Sequence, residues 1–131
     1  MTRHLLVLAS LALLLPRGGA AAPPRAQLQV FFQATLKSAP YQQQVFARLA
    51  KAWRQPPAAQ APAPGRKAVV QAVVGRDGKL DAVVVSLQSG AKAWDAAALA
   101  AVKKAAPFAP LPADYGEKTV EVHFHFAWAA P

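Results

Sequence analysis

The densest hydrophobic pattern in the chain runs from Ala68 to Leu87, where two valine-rich segments flank a polar turn. Asp77 and Gly78 mark the turn, because a two-residue type I′ turn needs positive φ at both central positions and Asp followed by Gly tolerates this. β-Branched residues on both sides of such a turn indicate a β-hairpin. Both segments carry apolar residues on both faces, and an isolated hairpin could not bury them. The rest of the chain is therefore expected to cover this hairpin.

Two segments with helical periodicity flank the hairpin. From Tyr41 to Trp53, apolar residues recur every three or four positions, and prolines at 40, 56 and 57 limit the helix at both ends. After Ser89 and Gly90, we expect Asp95 to cap a second helix over 96–106, which Pro107 ends. The aromatic residues on these stripes and at the element junctions are predicted to lie in the core: Tyr41, Phe46, Trp53, Trp94, Phe108 and Phe124.

The last pattern, from Thr119 to Phe126, alternates strictly and predicts a third strand. The expected core residues are Val120, Val122, Phe124 and Phe126, and the opposite face carries Glu121, His123 and His125. Because the second helix returns the chain, this strand should run parallel to the second hairpin strand, with the first hairpin strand between them. The predicted fold class is α+β, an α-β-β-α-β domain with a three-stranded antiparallel sheet of order 2-1-3 packed by two helices.

The first 21 residues have the pattern of a secretory signal peptide. A polar start with Arg3 precedes an apolar run from Leu5 to Leu15, and small residues follow it at 18–22. As a helix, this run would reach about 17 Å against a hydrocarbon thickness of about 30 Å. We predict a cleavable leader over 1–21, with an uncleaved anchor as the alternative. Residues 22–40 are predicted to be a short linker with at most one short helix or strand, and 41–128 the folded domain.

Composition limits the partners and the compartment. The formal charge is +9, and without Arg3 and Arg17 of the leader thirteen basic residues stand against six acidic ones, a net charge of +7. A basic surface suits acidic partners or anionic lipid. The basic residues are scattered, however, and form no nucleic-acid-binding motif. Cysteine is absent, so the chain has no disulfide, thiol nucleophile, thiolate metal site or lipobox.

The sequence predicts no enzyme. No nucleophile elbow, paired acids or phosphate loop is present, and the turn and the helix cap account for Asp77 and Asp95. Glu121, His123 and His125 form a row of side chains that chemistry would allow to bind zinc or copper. Nothing in the sequence supplies a clear fourth ligand, so we interpret the row as a polar sheet face with only weak, adventitious metal binding. We expect no cofactor.

The ordered set of elements resembles the C-terminal domain of TonB and TolA family proteins. The resemblance rests on the helix from Tyr41 to Trp53 with a proline three residues on, the DG-turn hairpin, SG before an aromatic and Asp95, the segment AAALAAVKKAAPFAPLP, and the final strand. It covers the chain from Tyr41 to Trp128. It implies a periplasmic domain that binds partner proteins at the outer membrane, with no catalytic residues. Transducing members have an uncleaved membrane helix and a long periplasmic reach, so the short leader and linker predict a free periplasmic module instead.

The resemblance implies an outer-membrane receptor or a Tol-system-like envelope protein as the partner, possibly in TonB-type transport. Contact with the membrane would be indirect unless the leader is kept. We expect the C-terminal strand to offer a free edge to an extended segment of the partner. The predicted binding residues are Thr119, Val120, Glu121, Val122, His123, Phe124, His125 and Phe126. A TonB-like fold with an unrelated envelope role, or a homodimeric structural module, is the alternative.

Overall fold

A computed structural model describes residues 22–131, and the predicted signal peptide over 1–21 lies outside the described residues. The elements in chain order are β1 (Arg25–Phe32), α1 (Ala39–Ala52), a short 3₁₀ turn (Ala58–Gln60), β2 (Lys67–Gly75), β3 (Leu80–Leu87), α2 (Lys92–Ala105) and β4 (Thr119–Ala129). None of the helices in this part of the chain combines the length and the hydrophobicity that a membrane span requires.

The sheet has four strands in the order β1-β4-β2-β3, and every neighbouring pair is antiparallel. The mixed α+β class, the hairpin and the placement of β2 between β3 and β4 are as predicted. The prediction of three strands is wrong, because β1 pairs with β4 along its whole length, from Arg25 opposite Ala129 to Phe32 opposite Val122. β1 lies in the stretch predicted to be a linker, so that stretch contributes a strand to the fold.

The chain builds this sheet from two interleaved β-α-β units. β1 and β2 run parallel to each other with β4 between them, and β3 and β4 run parallel with β2 between them. Each unit is a split β-α-β arrangement with one helix as its crossover. α1 packs beside β1, and α2 packs over β2 and β3. Both helices cover the same face of the sheet, and the other face stays open.

The core lies between the helices and the covered face of the sheet. Trp94 is fully buried and donates a hydrogen bond from Nε1 to the carbonyl oxygen of Phe126 at 2.9 Å. Its ring packs edge-to-face against Trp53 and Trp128, with centroid distances of 5.1 and 5.5 Å. This cluster joins the end of α1, the start of α2 and the end of β4, as large aromatic side chains often do in small cores. Phe108 completes the other end by stacking on Phe124 at 6.1 Å.

The N-termini of the two helices depend on capping residues near them in the sequence. Ser38 caps α1 by accepting a hydrogen bond from the Tyr41 backbone N–H at 3.3 Å, next to Pro40 in the first turn. α2 begins earlier than predicted, and Ala91 rather than Asp95 is its N-cap. Asp95 lies in the first turn, where its carboxylate accepts a hydrogen bond from the Ser89 backbone N–H at 3.0 Å. The carboxylate therefore fixes the loop that enters α2 as well as stabilising the helix terminus.

The predicted set of aromatic core residues needs one correction, since Phe46 is 41% exposed. α1 turns Tyr41, Val45 and Leu49 toward the core, so Phe46 lies on another side of the helix and borders an open groove beside β1. Apolar residues on a helix stripe are buried only when another element covers that side. No element of the described chain does so here.

Gly78 in the β2-β3 turn is required by close packing as well as by conformation. Its φ is +86°, and a Cβ placed on it would lie 2.0 Å from the carbonyl oxygen of Phe108. The Phe108 backbone N–H donates to the Gly78 oxygen at 2.8 Å, and the Leu111 N–H donates to the Arg76 oxygen at 3.0 Å. The hairpin turn thus anchors the segment that leads from α2 to β4.

We predict that Trp53→Ala lowers the free energy of unfolding by about 3 to 5 kcal/mol, as large aromatic truncations in cores do. Trp53 contacts Trp94 and also Phe126, at a centroid distance of 5.0 Å, so its loss opens a cavity at the centre of the cluster. Urea unfolding measures the change. Val84→Ala, at a residue 54% exposed, is the control and should cost far less. Equal stability of Trp53→Ala and the wild type would contradict this packing.

Gly78→Ala should destabilise the domain more than Gly65→Ala. Both glycines have positive φ, +86° and +90°, which costs an L-residue about 1–2 kcal/mol. Only Gly78 adds a backbone clash, because a Cβ at Gly65 would meet nothing within 4 Å. Thermal or urea unfolding of the two variants separates strain from steric overlap. Equal losses of stability in Gly78→Ala and Gly65→Ala would show that the turn can move away from Phe108.

Candidate functional site

The C-terminal strand β4 presents the two faces that its alternation predicts. Four of its core-facing residues are fully buried, and the last one, Trp128, is 8% exposed. The four are Val120, Val122, Phe124 and Phe126. Glu121, His123 and His125 lie on the open face of the sheet. Of the predicted binding residues, four side chains are thus core residues, and only those of the open face and Thr119 keep solvent contact.

The prediction that β4 has a free edge is wrong. β1 occupies that edge, and the pairing continues past its end, where the Gln33 backbone N–H donates to the Glu121 oxygen at 2.9 Å. The Gln33 side-chain oxygen accepts a hydrogen bond from the Glu121 backbone N–H at 3.1 Å. The backbone of β4 is therefore paired on both sides, by β1 and by β2.

The ladder shows which backbone groups face which neighbour. Antiparallel pairs alternate between hydrogen-bonded and non-hydrogen-bonded positions. The backbone bond between Gln33 and Glu121 shows that the odd-numbered residues of β4 form hydrogen-bonded pairs with β1. The bond from the Trp128 N–H to the Arg66 oxygen shows that the even-numbered residues of β4 form hydrogen-bonded pairs with β2. His123 and His125 thus direct their backbone groups toward β1. In β1, the even-numbered residues direct theirs outward, to the free edge of the sheet.

A polar cluster holds the end of β1 against the start of β4. Glu117 accepts hydrogen bonds from the Thr35 hydroxyl at 2.6 Å and from the Gln33 side-chain amide at 3.0 Å. Arg76 donates to the backbone oxygens of Glu117 and Pro112, at 2.6 and 2.9 Å. All these bonds are exposed to solvent, so each adds little stability.

Glu121 and His123 pair with each other on the open face. The carboxylate of Glu121 lies 2.7 Å from Nε2 of His123, and both side chains are partly exposed. No group of three His, Cys, Asp or Glu side chains that could hold a metal ion occurs within residues 22–131. The row of Glu121, His123 and His125 is therefore not gathered around one point, and His125 makes different contacts.

His125 packs against Phe31 across the β1-β4 pair. The ring centroids are 4.6 Å apart in an edge-to-face arrangement, and Nδ1 of His125 is buried without a hydrogen-bond partner. Burial, followed by the charges of Lys67 and His123, lowers the pKa of His125. The neutral imidazole is thus the form that this contact favours.

The two outer edges of the sheet differ in regularity. β3 has two register shifts against β2, which leave Ser86 and Asp81 as extra residues opposite the breaks. Such bulges disrupt the ladder and blunt an edge strand. β1 pairs with β4 without any shift. Its free edge is therefore the regular one. The signal that could have identified this strand in the sequence is the alternation over RAQLQVFF, with Ala26, Leu28, Val30 and Phe32 on the core side.

Apolar side chains flank the free edge of β1. Phe31 is 50% exposed on the open face of the sheet. On the helix side, a groove of about 300 Å³ separates β1 from α1. The residues that line the groove are Val30, Phe32, Ala39, Gln42, Gln43 and Phe46. No residue of β1 is fully buried, and the same holds for the opposite edge strand β3, whereas the central strands β2 and β4 carry the buried residues of the sheet.

A family model described as TonB C terminal matches residues 38–126. This match spans α1, β2, β3, α2 and most of β4. The chain belongs to the TonB C-terminal family. The resemblance predicted from the sequence is thereby confirmed, and the family is a non-catalytic protein-interaction domain with a general place in the periplasm.

The family match starts after β1, so the strand that covers the edge of β4 lies outside the matched region. Without β1, the matched part is the predicted α-β-β-α-β domain with its three-stranded sheet. No curated protein and no solved structure matches the chain.

We predict that acidification destabilises the domain through His125. Its pKa is lowered in the folded state, so below the unfolded value of about 6.5 the unfolded chain binds more protons, and stability falls as the pH drops toward the folded pKa. Urea unfolding at about pH 7.5 and about pH 5 measures the fall. His125→Gln cannot titrate and should lose less stability over the same interval. A variant that loses as much as the wild type would contradict this role of the imidazole.

Proposed function

We propose that this domain is a protein-binding module of the cell envelope that takes an extended segment of a partner beside β4, in the place of β1. The observation that carries the proposal is the position of β1, which lies outside the family match and yet pairs along the edge of β4. An edge that accepts a strand of the same chain can accept a strand of another protein with the same pattern.

The backbone and the core-facing positions set what such a segment must offer. Backbone hydrogen bonds would come from the odd-numbered residues of β4, Glu121, His123 and His125. A replacing strand would need apolar side chains at alternate positions, where Ala26, Leu28 and Val30 now pack against the core. Backbone pairing supplies affinity, and these alternate pockets supply selectivity.

Capture requires β1 to leave the edge of β4, and the low burial of β1 favours this. The strand has no fully buried side chain, and the bonds around Glu117 that hold its end are exposed. Local opening of such segments costs less than global unfolding. Because β1 is tethered, it competes at high effective concentration, so a partner must offer contacts beyond a bare strand.

The family and the leader support one class of partner. TonB-family domains contact envelope proteins such as outer-membrane receptors. We propose an outer-membrane receptor or a Tol-system-like protein as the partner, a role in TonB-type transport, and export to the periplasm through a cleaved leader over 1–21. The signal-peptide pattern of the first residues supports export. A TonB-like domain with an unrelated envelope role is the second candidate, favoured by the covered edge of β4.

A reversible disulfide between β1 and β4 tests the proposed capture site. The chain has no cysteine, so Gln27→Cys with Ala127→Cys creates a single possible disulfide between directly opposite residues of β1 and β4. The probe is a peptide array tiled from periplasmic segments of outer-membrane receptors and Tol-system proteins of the same cell. We expect binding by the reduced variant and its loss, by at least about tenfold in affinity, after oxidation.

The single variant Gln27→Cys is the matched control and should bind equally under both conditions. Far-UV circular dichroism of the oxidised double variant verifies that the fold is intact. Equal binding by the oxidised and reduced double variants would contradict capture beside β4. Binding only of segments from unrelated envelope proteins on the same array would favour the second candidate.

A further inference from the structure

A groove of about 250 Å³ between α1 and α2 is lined mainly by cations. Arg48 and Lys51 lie in the C-terminal half of α1, Arg54 follows the end of that helix, and Lys104 lies in the last turn of α2. All four side chains are exposed to solvent. The other two lining residues are buried alanines of the same helices. The groove therefore concentrates positive charge at the outer side of the helix layer.

The two arginine side chains are held in place by carbonyl oxygens at the ends of the helices. Nε of Arg48 donates a hydrogen bond to the Ala105 oxygen at 2.8 Å, and Nη1 of Arg54 donates to the Lys51 oxygen at 3.1 Å. Carbonyl groups at a helix C-terminus carry partial negative charge and lack partners within the helix. A guanidinium has five N–H donors, so each arginine keeps donors that could bind an anion.

The acidic residues of the described chain lie away from this groove. Asp95 is in the first turn of α2, and its carboxylate is bound to the Ser89 backbone N–H. Within residues 22–131, the only ion pair joins Glu121 to His123, so salt bridges do not compensate the cations of the groove. The other acidic residues belong to the hairpin, the loop before β4 and β4 itself: Asp77, Asp81, Asp114, Glu117 and Glu121.

This arrangement of charge is not one that the fold requires. Like charges gathered on one side repel one another and lower the stability of the folded state. Lys92 and Lys103 extend the positive charge along α2, so the helix layer as a whole is cationic. A surface with both signs interspersed would be as soluble without this repulsion. A cost in stability at one surface is typical of a region that serves binding.

We propose that this cationic side of the helix layer docks on the phosphate headgroups of an anionic lipid bilayer. Each Lys or Arg near such a surface adds to the attraction, and several act together. Arginine binds phosphate oxygens through paired N–H donors, and lysine binds them through its ammonium group. The contact with the membrane would be direct, whereas the sequence led us to expect an indirect one. The inference does not depend on the proposed capture of a partner beside β4.

A bilayer suits this surface better than a single small anion or an acidic peptide. Exposed ion pairs contribute little individually, so one soluble anion would be held weakly by the four exposed cations. A bound peptide gains most of its affinity from side chains that enter well-packed pockets. The groove offers only two alanines beside its cations, and it has no apolar pocket of this kind. A bilayer presents many phosphates at once and needs no pocket.

Sedimentation with lipid vesicles tests the proposal on the protein expressed from the full chain. The vesicles contain phosphatidylcholine alone, or equal parts of phosphatidylcholine and phosphatidylglycerol. We expect binding to the anionic vesicles only. The affinity should fall at least about tenfold between about 0.1 M and about 1 M salt, because the Debye length shortens from about 10 Å to about 3 Å. Equal binding to the neutral vesicles would indicate hydrophobic insertion and overturn the proposal.

Reversal of two charges in the groove should weaken vesicle binding at least about tenfold. The variant is Lys51→Glu with Lys104→Glu. Lys79→Glu with Lys118→Glu makes the same change in net charge at exposed positions outside the helices, and this matched control should lose much less affinity. Lys51→Arg with Lys104→Arg keeps the charge and should bind like the wild type. Circular dichroism confirms that each variant is folded. Equal binding by the groove variant and the control variant would overturn the proposal.

Fluorescent labels report which side of the domain meets the membrane, because the chain has no cysteine and each variant carries a single thiol. An environment-sensitive fluorophore on Ala47→Cys, at an exposed position of α1, should change its emission when anionic vesicles are added. The same fluorophore on Val84→Cys, on the open face of the sheet and 54% exposed, is the control and should not respond. A response from Val84→Cys alone would assign docking to the open face and overturn the proposal.

Soluble anions distinguish the bilayer from other sources of negative charge. The probes are polyglutamate, for an acidic protein segment, and glycerol phosphate, for a free phosphate ester. Isothermal titration calorimetry should show much weaker binding of both than of the anionic vesicles. If polyglutamate binds more tightly than the vesicles and loses this binding in Lys51→Glu with Lys104→Glu, the groove belongs to an acidic protein partner. If glycerol phosphate does so, the groove is a small-molecule site. Either result would overturn docking on a bilayer.

Discussion

The double pairing of β4 is the interaction on which the rest of the domain depends. β4 is the longest strand, joins β1 on one side and β2 on the other, and turns a row of buried side chains toward both helices. The aromatic cluster around Trp94 packs against the end of β4, where Nε1 of Trp94 donates a hydrogen bond to the Phe126 oxygen. Because β1 and β4 come from opposite ends of the described chain, their pairing is a long-range contact, and folding must overcome the entropy of closing the chain between them.

The strand that completes the sheet is much less buried than the central strands. β1 contributes no fully buried residue and ends in a solvent-exposed polar cluster around Glu117. Such a strand opens more readily than the core strands. It covers the edge of β4 along its whole length.

Most of the polar groups that could suggest chemistry have structural partners. Asp95 fixes the loop before α2, Asp77 accepts a bond from the Lys79 backbone N–H in the hairpin turn at 3.0 Å, and Glu121 pairs with His123. The buried side chains on β4 are apolar. This use of polar residues agrees with a family of non-catalytic interaction domains.

The sequence by itself determined the elements whose signals are local. The Asp-Gly turn between valine runs specified the hairpin, helical spacing with flanking prolines specified α1, and strict alternation specified the two faces of β4, because each depends on neighbours within a few residues. Only the tertiary structure decided that Arg25–Phe32 pairs with β4 and so covers its edge, and that Phe46 is exposed. A short segment becomes a strand when a distant partner supplies its hydrogen bonds, and a helix side is buried only where another element reaches it.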